Sequence, residues 1–327
     1  MPSPAPLVRV VRSGFCESVH LGHVAVCDAD GRLLASVGDP DHRVFARSSM
    51  KPLQATVSLG RIAAELPEEL VAVMCASHNA EPEHVRAVRR LLGAVGASES
   101  LLACPPALPA RPEDAPRAGR PRRVFHNCSG KHAGMVSACL GAGWDVATYL
   151  DPRHPLQREV LRVVRRATGI ENPEIGVDGC GVPVHGVPLS AMATLYARLA
   201  VPERLGRLAP RATRAVRAMR AHPFLVAGTR RTDTELMTAA PNVLSKGGAE
   251  ALHCASLLDR GIGVAVKIAD GGDRASGPAL VRALALLDAV SDAQLVELES
   301  VARRPVLGGG RPVGELVSDF RFRRPES

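Results

Sequence analysis

Lysine is scarce in this chain of 327 residues, since only four of its 41 Lys and Arg residues are lysine. Guanidinium is effectively always protonated, whereas a buried ammonium group can lose its proton and act as a base or a ligand. Arginine suffices wherever only positive charge is needed. The four lysines, Lys51, Lys131, Lys246 and Lys267, are therefore candidates for positions that need a removable proton.

Aromatic residues and long apolar runs are also scarce. Aromatic side chains make up 3% of the chain, so the core must consist mostly of Ala, Val and Leu. No stretch approaches the roughly 20 apolar residues of a membrane span, and the first residues show no signal-peptide pattern. The eight cysteines lack the dense spacing of a small secreted scaffold and are expected to be reduced and mostly buried. A cytoplasmic protein without a membrane partner is expected.

The formal net charge of +8 and the pI near 9.4 could indicate a nucleic-acid partner. However, the arginines are spread along the chain, and side chains that could stack on bases are few. The excess of Ala, Arg, Gly and Pro is typical of a bias in nucleotide composition. We therefore expect no nucleic-acid partner.

The pattern of apolar residues predicts a mixed fold of strands and helices. Strands are predicted over residues 7–11, 24–27, 33–37 and 262–268, and helices over 48–55, 83–92, 156–167, 190–199, 211–221, 250–258 and 279–287. Six prolines in segment 104–123 predict a surface loop. We expect an α/β (α+β) protein with helices packed on an antiparallel sheet, as a single domain over 1–327 or as two packed lobes.

Ser48 and Lys51 form the first segment that indicates chemistry. Residues three apart on a helix share a face, so the amine of Lys51 could accept the hydroxyl proton of Ser48. The alternative is a serine that caps the helix beside an exposed lysine.

Two further segments resemble catalytic motifs. Ser77-His78-Asn79 and Lys246-Gly247-Gly248 follow the Ser-x-x-Lys segment in the order in which Ser-x-x-Lys, Ser-Asp-Asn and Lys-Thr-Gly occur in serine β-lactamases and penicillin-binding proteins. Each segment is common by itself, and the ordered set is the signal.

A fourth segment carries candidate metal ligands. Cys128, Lys131 and His132 lie in a Gly-containing stretch, and Asp178 and Cys180 follow about fifty residues later. Thiolate and imidazole groups are typical zinc ligands, and Lys131 could add an amine if it were deprotonated. The alternative is a buried thiol pair in tight loops.

Two other features have ordinary explanations. Lys267 lies in an apolar strand and is interpreted as structural, reaching the rim or a carboxylate such as Asp270. The polar residues 228–234 could contact a substrate, or Thr232 or Asp233 could cap a short helix.

Together these motifs resemble the Rhizobium-type (inducible) L-asparaginases over nearly the whole chain. The segments that carry the resemblance are Arg47-Ser48-Ser49-Met50-Lys51-Pro52, Ser77-His78-Asn79-Ala80-Glu81, His126-Asn127-Cys128-Ser129-Gly130-Lys131-His132, Asp178-Gly179-Cys180-Gly181-Val182-Pro183 and Lys246-Gly247-Gly248-Ala249-Glu250. The resemblance implies a glutaminase/serine β-lactamase-like fold, a homodimer, and hydrolysis of L-asparagine to L-aspartate and ammonia.

The resemblance also implies roles for individual residues. The catalytic Ser/Lys pairs of the family fall on Ser48 with Lys51 and on Ser77 with Lys246. The implied mechanism is that Lys51 takes the proton of Ser48, which attacks the side-chain amide to form an acyl-enzyme.

The remaining family positions bind zinc or substrate. The zinc ligands fall on Cys128, Lys131 and Cys180, and the positions expected to bind substrate are Arg47, Asp178 and His132. Zinc is expected to orient the substrate rather than to supply the nucleophile.

Two other classes of function stay open at this point. One is a different serine amidohydrolase on the same scaffold, acting on a β-lactam or a D-Ala peptide. The other is a non-catalytic zinc-binding protein in which Cys128 and Cys180 are structural.

Overall fold

The computed structural model describes residues 3–111, 113–114 and 118–324. They form two compact units, each built from separate segments. Unit 1 is drawn from Met1–Ser49, Val187–Arg204 and Glu235–Ser327, and unit 2 from Met50–Gly186 and Leu205–Thr234. Within the described ranges, no helix combines the length and apolar character that a bilayer span requires.

The elements are numbered along the chain. The strands are β1 Ala5–Arg12, β2 Phe15–Asp28, β3 Leu33–Val37, β4 Arg43–Phe45, β5 Glu174–Val177, β6 Pro183–Pro188, β7 Val243–Gly248, β8 Leu252–Leu257, β9 Ile262–Ile268, β10 Pro305–Gly308 and β11 Arg311–Val317. The helices are α1 Lys51–Leu59, α2 Glu68–Met74, α3 Pro82–Gly93, α4 Ser129–Ala142, α5 Pro155–Thr168, α6 Leu189–Ala200, α7 Ala209–Ala221, α8 Pro223–Val226, α9 Thr232–Ala239, α10 Asp273–Leu286, α11 Asp292–Glu297 and α12 Glu299–Ala302.

Unit 1 is built on an eight-stranded sheet in the order β10-β11-β1-β2-β9-β8-β7, with β3 paired to β2. Neighbouring strands are antiparallel throughout. The predicted mixed fold, with helices packed on an antiparallel sheet, is confirmed.

The central strand β9 shows how helices cover both faces of this sheet. Successive side chains of a strand point to opposite faces. Val264 and Val266 belong to a core that also contains Leu280 and Leu284 of α10. Gly263 faces the other way, and a Cβ at this position would lie 1.9 Å from the carbonyl oxygen of Ala193 in α6. Only glycine allows that helix to lie so close to the sheet.

Two sequence predictions about local structure were inaccurate. The helix predicted over residues 250–258 is wrong, because Leu252–Leu257 forms strand β8, which is buried along its whole length between β7 and β9. The helix predicted from Ser48 begins later, because Arg47–Met50 forms a 3-10 turn and the α-helix starts at Lys51.

Unit 2 is mainly helical, and its helix α4 begins directly after Cys128, in the stretch for which tight loops were the alternative prediction. A Cβ at Gly130 would lie 2.0 Å from the carbonyl oxygen of Val73 in α2, and one at Gly134 would lie 2.9 Å from Met74. The glycines therefore permit close helix packing rather than a turn. In the predicted loop 104–123, residues 112 and 115–117 lie outside the described residues.

Candidate active site

Lys51 is fully buried in unit 2 and contacts Ser77. It occupies the first position of α1, has no exposed surface, and donates from Nζ to Ser77 Oγ at 2.9 Å and to the carbonyl oxygen of Ala76 at 2.5 Å. Burial is the largest influence on this amine and lowers its pKa, while the nearby Cys128 thiolate opposes the shift. The contact with Ser77 was not predicted, since the sequence suggested Ser48 as the partner of Lys51.

The loop that follows α2 fixes Ser77 through its main chain. The Ser77 N–H donates to the carbonyl oxygen of Val226 at 2.9 Å, and the Asn79 N–H donates to that of Ala227 at 3.0 Å. Next along the loop, His78 Nδ1 accepts from the Ala80 N–H. Backbone bonds on both sides of His78 therefore hold the serine in place.

His78 is the buried residue that ties this loop to α4. Because its Nδ1 is an acceptor, its other nitrogen, Nε2, donates to Ser129 Oγ at 2.9 Å. Burial and the neighbouring His84 keep the pKa of His78 well below its usual value. His78 therefore holds the loop as a neutral ring.

A buried carboxylate supports the same loop from the other end. Glu81 is 5% exposed and accepts from the Thr229 N–H at 2.8 Å, from Thr229 Oγ1 at 2.6 Å and from Arg111 at 2.9 Å. Asn79 donates to Glu81 and accepts from Arg231 at 3.1 Å. Burial opposes the ionisation of Glu81, but the hydrogen bonds from Thr229 and its other donors outweigh it and lower the pKa.

The polar residues 228–234 thus hold the Ser77 loop, a role that the sequence did not identify. Gly228 is required there, because it has φ +111° and a Cβ would lie 2.4 Å from Glu81 Oε1. Thr232 and Asp233, either of which was predicted to cap a short helix, are instead the first two residues of α9.

Unit 2 also gathers the predicted metal ligands into one buried cluster. Lys131 Nζ lies 3.0 Å from Cys180 Sγ and 3.6 Å from Asp178 Oδ2. The Cys180 thiol lies 3.3 Å from that carboxylate oxygen and is hydrogen-bonded to Cys128. Cys128, Lys131 and Cys180 are each at most 4% exposed. Residues fifty positions apart are brought together here.

The pKa shifts in this cluster favour a thiolate at Cys128 and an ammonium group at Lys131. The hydrogen bond from Cys180 holds the pKa of Cys128 well below its usual value, assisted by the ammonium groups of Lys51 and Lys131, and it raises the pKa of Cys180. Burial disfavours the charge on Lys131, but the two sulfur atoms and Asp178 outweigh it and raise the pKa. This shift is opposite to the neutral amine that the sequence led us to expect.

His132, predicted to bind substrate, lies next to the cluster on α4 and is fully buried. His132 Nδ1 and the Tyr149 hydroxyl are hydrogen-bonded at 2.6 Å, and the same hydroxyl accepts from the Ala103 N–H at 2.8 Å. The other ring nitrogen of His132, Nε2, has no hydrogen-bond partner among the described residues. Tyr149 was not identified from the sequence, because nothing in its local pattern distinguishes it.

Unit 1 holds the other predicted residues. The Ser49 hydroxyl donates to the carbonyl oxygen of Lys246 at 3.0 Å, and a Cβ at Gly248 would lie 3.3 Å from both Arg47 Cβ and Ser48 N. Strand β7 therefore lies against the turn that carries Arg47 and Ser48. Lys246 is fully buried and donates from Nζ to the carbonyl oxygen of Gly247 at 2.7 Å.

Comparison with known protein families gives one extensive match. The sequence profile described as L-asparaginase II matches residues 8–318. The chain belongs to the L-asparaginase II family. Among curated proteins none matches the chain.

This L-asparaginase II family member also resembles solved structures at low identity. A β-lactamase from Mycobacterium bovis is 16% identical, with 82% of this chain and 95% of that chain covered and a TM-score of 0.44. The Bacillus subtilis glutaminase in covalent complex with 5-oxo-L-norleucine is 14% identical, with 82% and 88% covered and a TM-score of 0.37. At these TM-scores the family assignment rests on the sequence match alone.

The predicted site residues of this family member thus fall into two sets. Unit 2 brings Lys51 and Ser77 together next to the cluster of Cys128, Lys131, Cys180 and Asp178, because Lys51 is also hydrogen-bonded to Cys128; His132 lies beside this cluster. Unit 1 brings together Arg47, Ser48 and Lys246. Lys267 donates to the carbonyl oxygens of Glu250 and Ile268, in agreement with the structural role predicted for it. The pairing of Ser77 with Lys246 stays a prediction.

The donor atoms of the cluster suit zinc in type. In the described part of the chain, no group of three or more His, Cys, Asp and Glu side chains is arranged as a metal site. Nevertheless, two sulfur atoms and an amine nitrogen are donors that zinc accepts. A divalent cation on the sulfur atoms would also remove the main cause of the raised pKa of Lys131.

Proposed function

We propose that this chain hydrolyses L-asparagine to L-aspartate and ammonia through a serine acyl-enzyme. Membership of the L-asparaginase II family supports an amidohydrolase. The single observation that carries the mechanism is the buried Lys51 amine on the hydroxyl of Ser77 at 2.9 Å. A lysine whose pKa is lowered by burial can take up and return a proton, and the contact with the Ser77 hydroxyl offers that proton a path to the leaving group.

The proposed sequence of steps uses two serines. Ser48, three residues before Lys51, attacks the side-chain carbonyl carbon of asparagine and gives its proton to Lys51. The carbon–nitrogen bond then breaks, and Ser77 passes a proton from Lys51 to the leaving nitrogen, so that ammonia departs. Water hydrolyses the aspartyl ester on Ser48 and returns the proton. Lys246 is proposed to assist these proton transfers.

Three charged or polar residues are proposed to bind the substrate. Arg47 would pair with the α-carboxylate and Asp178 with the α-ammonium of asparagine. His132 Nε2 has no hydrogen-bond partner among the described residues, and it could bond to a polar group of the substrate directly or through water.

We also propose a zinc ion held by Cys128, Lys131 and Cys180. When bound, zinc would supply positive charge that orients the substrate. Metal analysis of protein purified without chelator should find about one zinc per chain, and Cys180→Ser should lower that content severalfold because thiolates are strong zinc ligands. An unchanged metal content in this variant would rule the site out. Homodimer formation is proposed as well, and light scattering measures it.

Ammonia release is the decisive assay for the function. We expect release from L-asparagine by the intact protein and its near loss in Ser48→Ala, because the acyl-enzyme cannot form. Parallel assays with L-glutamine and a chromogenic β-lactam distinguish the other serine amidohydrolases. If no amide is hydrolysed with or without added zinc, the non-catalytic zinc-binding alternative is favoured and the proposal fails.

A further inference from the structure

A buried histidine without a role in the steps proposed above contacts the loop that carries Ser77. His84 of α3 has no exposed surface and donates from Nε2 to the carbonyl oxygen of Phe224 at 2.9 Å. Its ring is also stacked with two others, because the ring centroids lie 5.1 Å from that of His78 and 4.9 Å from that of Phe224. His84 therefore contacts both the Ser77 loop and helix α8.

The protonation state of His84 follows from these contacts. A carbonyl oxygen only accepts hydrogen bonds, so Nε2 carries the ring proton. Burial is the largest influence on His84 and lowers its pKa, which favours the neutral ring. Its main polar contribution is therefore one N–H that is donated to one carbonyl group.

Helix α8 depends on contacts of this kind. It has only four residues, Pro223–Val226, and a helix of one turn is not stable without tertiary packing. The Phe224 carbonyl oxygen accepts from the Ala227 N–H at 3.3 Å and from His84 at 2.9 Å. The bond from His84 is the shorter of the two and ties the short helix to α3.

The end of α8 is the part of unit 2 that holds Ser77. The carbonyl oxygen of Val226 accepts from the Ser77 N–H at 2.9 Å, and the Ser77 hydroxyl lies 2.9 Å from Lys51 Nζ. Direct contacts thus lead from His84 through Phe224 and Val226 to the hydroxyl group that meets the lysine.

We propose that His84 is a positioning residue for amide hydrolysis, because by holding α8 it sets the place of the Ser77 hydroxyl relative to Lys51. The proposal rests on the proposed function, in which Ser77 passes a proton from Lys51 to the leaving nitrogen. A displacement of about 1 Å can lower a rate by about 100-fold. His84 itself transfers no proton in this scheme and acts only through Ser77.

Two variants separate the hydrogen bond of His84 from its ring. His84→Gln gives up the ring but places an amide N–H near the position of Nε2, whereas His84→Phe keeps a ring and gives up the donor. If the bond to Phe224 positions Ser77, His84→Gln should retain most of kcat/KM for asparagine. His84→Phe should lower it by about 10- to 100-fold.

His154→Phe is the matched control for the loss of the donor. His154 is also buried in unit 2, and its Nε2 donates to the carbonyl oxygen of Asp145 at 3.0 Å, at the start of α5. The substitution removes the same kind of hydrogen bond. It should lower the melting temperature, as His84→Phe does, but leave kcat/KM of the folded protein unchanged.

A second substrate distinguishes positioning from a general loss of structure. The nitrogen of asparagine must be protonated to leave as ammonia, whereas the phenolate of a β-(4-nitrophenyl) ester of aspartate leaves without a proton. Since kcat/KM measures stabilisation of the transition state relative to the free protein and substrate, His84→Phe should slow amide hydrolysis about tenfold or more beyond ester hydrolysis. A merely structural role would slow both reactions equally.

Hydrogen exchange measures the position of Ser77 without any turnover. The Ser77 amide should exchange about tenfold or more faster in His84→Phe, because its acceptor on α8 is released, and His154→Phe should leave its exchange unchanged. Mass spectrometry of peptides that contain Ser77 provides this measurement.

Three results would overturn the proposal. They are unchanged exchange at Ser77 in His84→Phe, equal slowing of amide and ester hydrolysis, and a His84→Gln variant that is as impaired as His84→Phe. Failure of the proposed function is a different result, because the unchanged protein would then release no ammonia from any amide, while the exchange at Ser77 would still report whether His84 holds the loop.

Discussion

Lys51 and Ser77 are expected to act as one catalytic unit, and a cycle of three variants tests this expectation. Lys51→Met removes the amine and keeps a side chain of similar length, Ser77→Ala removes the hydroxyl, and the third variant combines both. The two groups are in direct contact at 2.9 Å. Positioned proton transfer contributes about 10²–10⁴-fold to rate, so each single change should lower kcat for asparagine by that factor.

The double variant distinguishes a unit from two independent groups. If Lys51 acts through Ser77, the double variant should be about as slow as the slower single variant, because effects of residues that act together are not additive. Independent contributions would multiply to about 10⁴–10⁸-fold. Turnover is measured by coupled detection of ammonia under saturating asparagine, with circular dichroism to confirm folding.

The chain provides a matched control for the lysine substitution. Lys267→Met removes an amine of unit 1 that donates to main-chain carbonyls, and kcat should stay close to that of the unchanged protein. Multiplicative losses in the double variant, or substantial turnover in Lys51→Met, would refute the shared role of Lys51 and Ser77.

Three other predictions concern charge and packing. Burial lowers the pKa of Lys51 from 10.5, and the amine is neutral above its pKa, so kcat/KM should rise with pH to a plateau with a midpoint below 10.5. Lys51→Arg should abolish turnover at every pH. An unchanged pH profile in that variant would exclude Lys51 as the base. Gly130→Ala should lower the free energy of unfolding by about 1–3 kcal/mol in denaturant titration, because the new Cβ would lie 2.0 Å from the Val73 carbonyl oxygen. The control Gly93→Ala, which has open space around the new Cβ, should leave the free energy of unfolding unchanged. Glu81→Gln should lower stability by about 1–3 kcal/mol and reduce kcat more than it raises KM, whereas equal stability and kcat would show that Glu81 does not support the Ser77 loop.

Local patterns predicted much of the fold but not all of it. The periodicity of apolar residues predicted helices α3, α5 and α6 and strand β3, because each of them buries one face or consists mainly of apolar residues. Strand β8 was missed because Leu252–Leu257 contains no β-branched residue and reads as a helix. Its position between two strands of the sheet overrides that local preference.

The sequence predicted which residues belong to the site more readily than it predicted the contacts between them. Motifs located Lys51, Ser77 and the cysteines, but the partner of Lys51 lies 26 residues away and is set by tertiary packing. Glu81 lies four residues beyond Ser77, where a lone glutamate normally indicates an exposed surface. Its burial becomes intelligible only when Thr229 and Arg111 are seen to surround it.

The burial of the lysines has a practical consequence for covalent labelling. Lys51 and Lys246 have no exposed surface and Lys131 is 4% exposed, so among the lysine side chains Lys267 alone offers accessible surface to an amine-directed reagent. Mass spectrometry after brief acylation should therefore find modified Lys267 in the folded protein. Modification of Lys51, Lys131 or Lys246 would then report local unfolding of the unit that contains that lysine, and no label would have to be introduced by mutation.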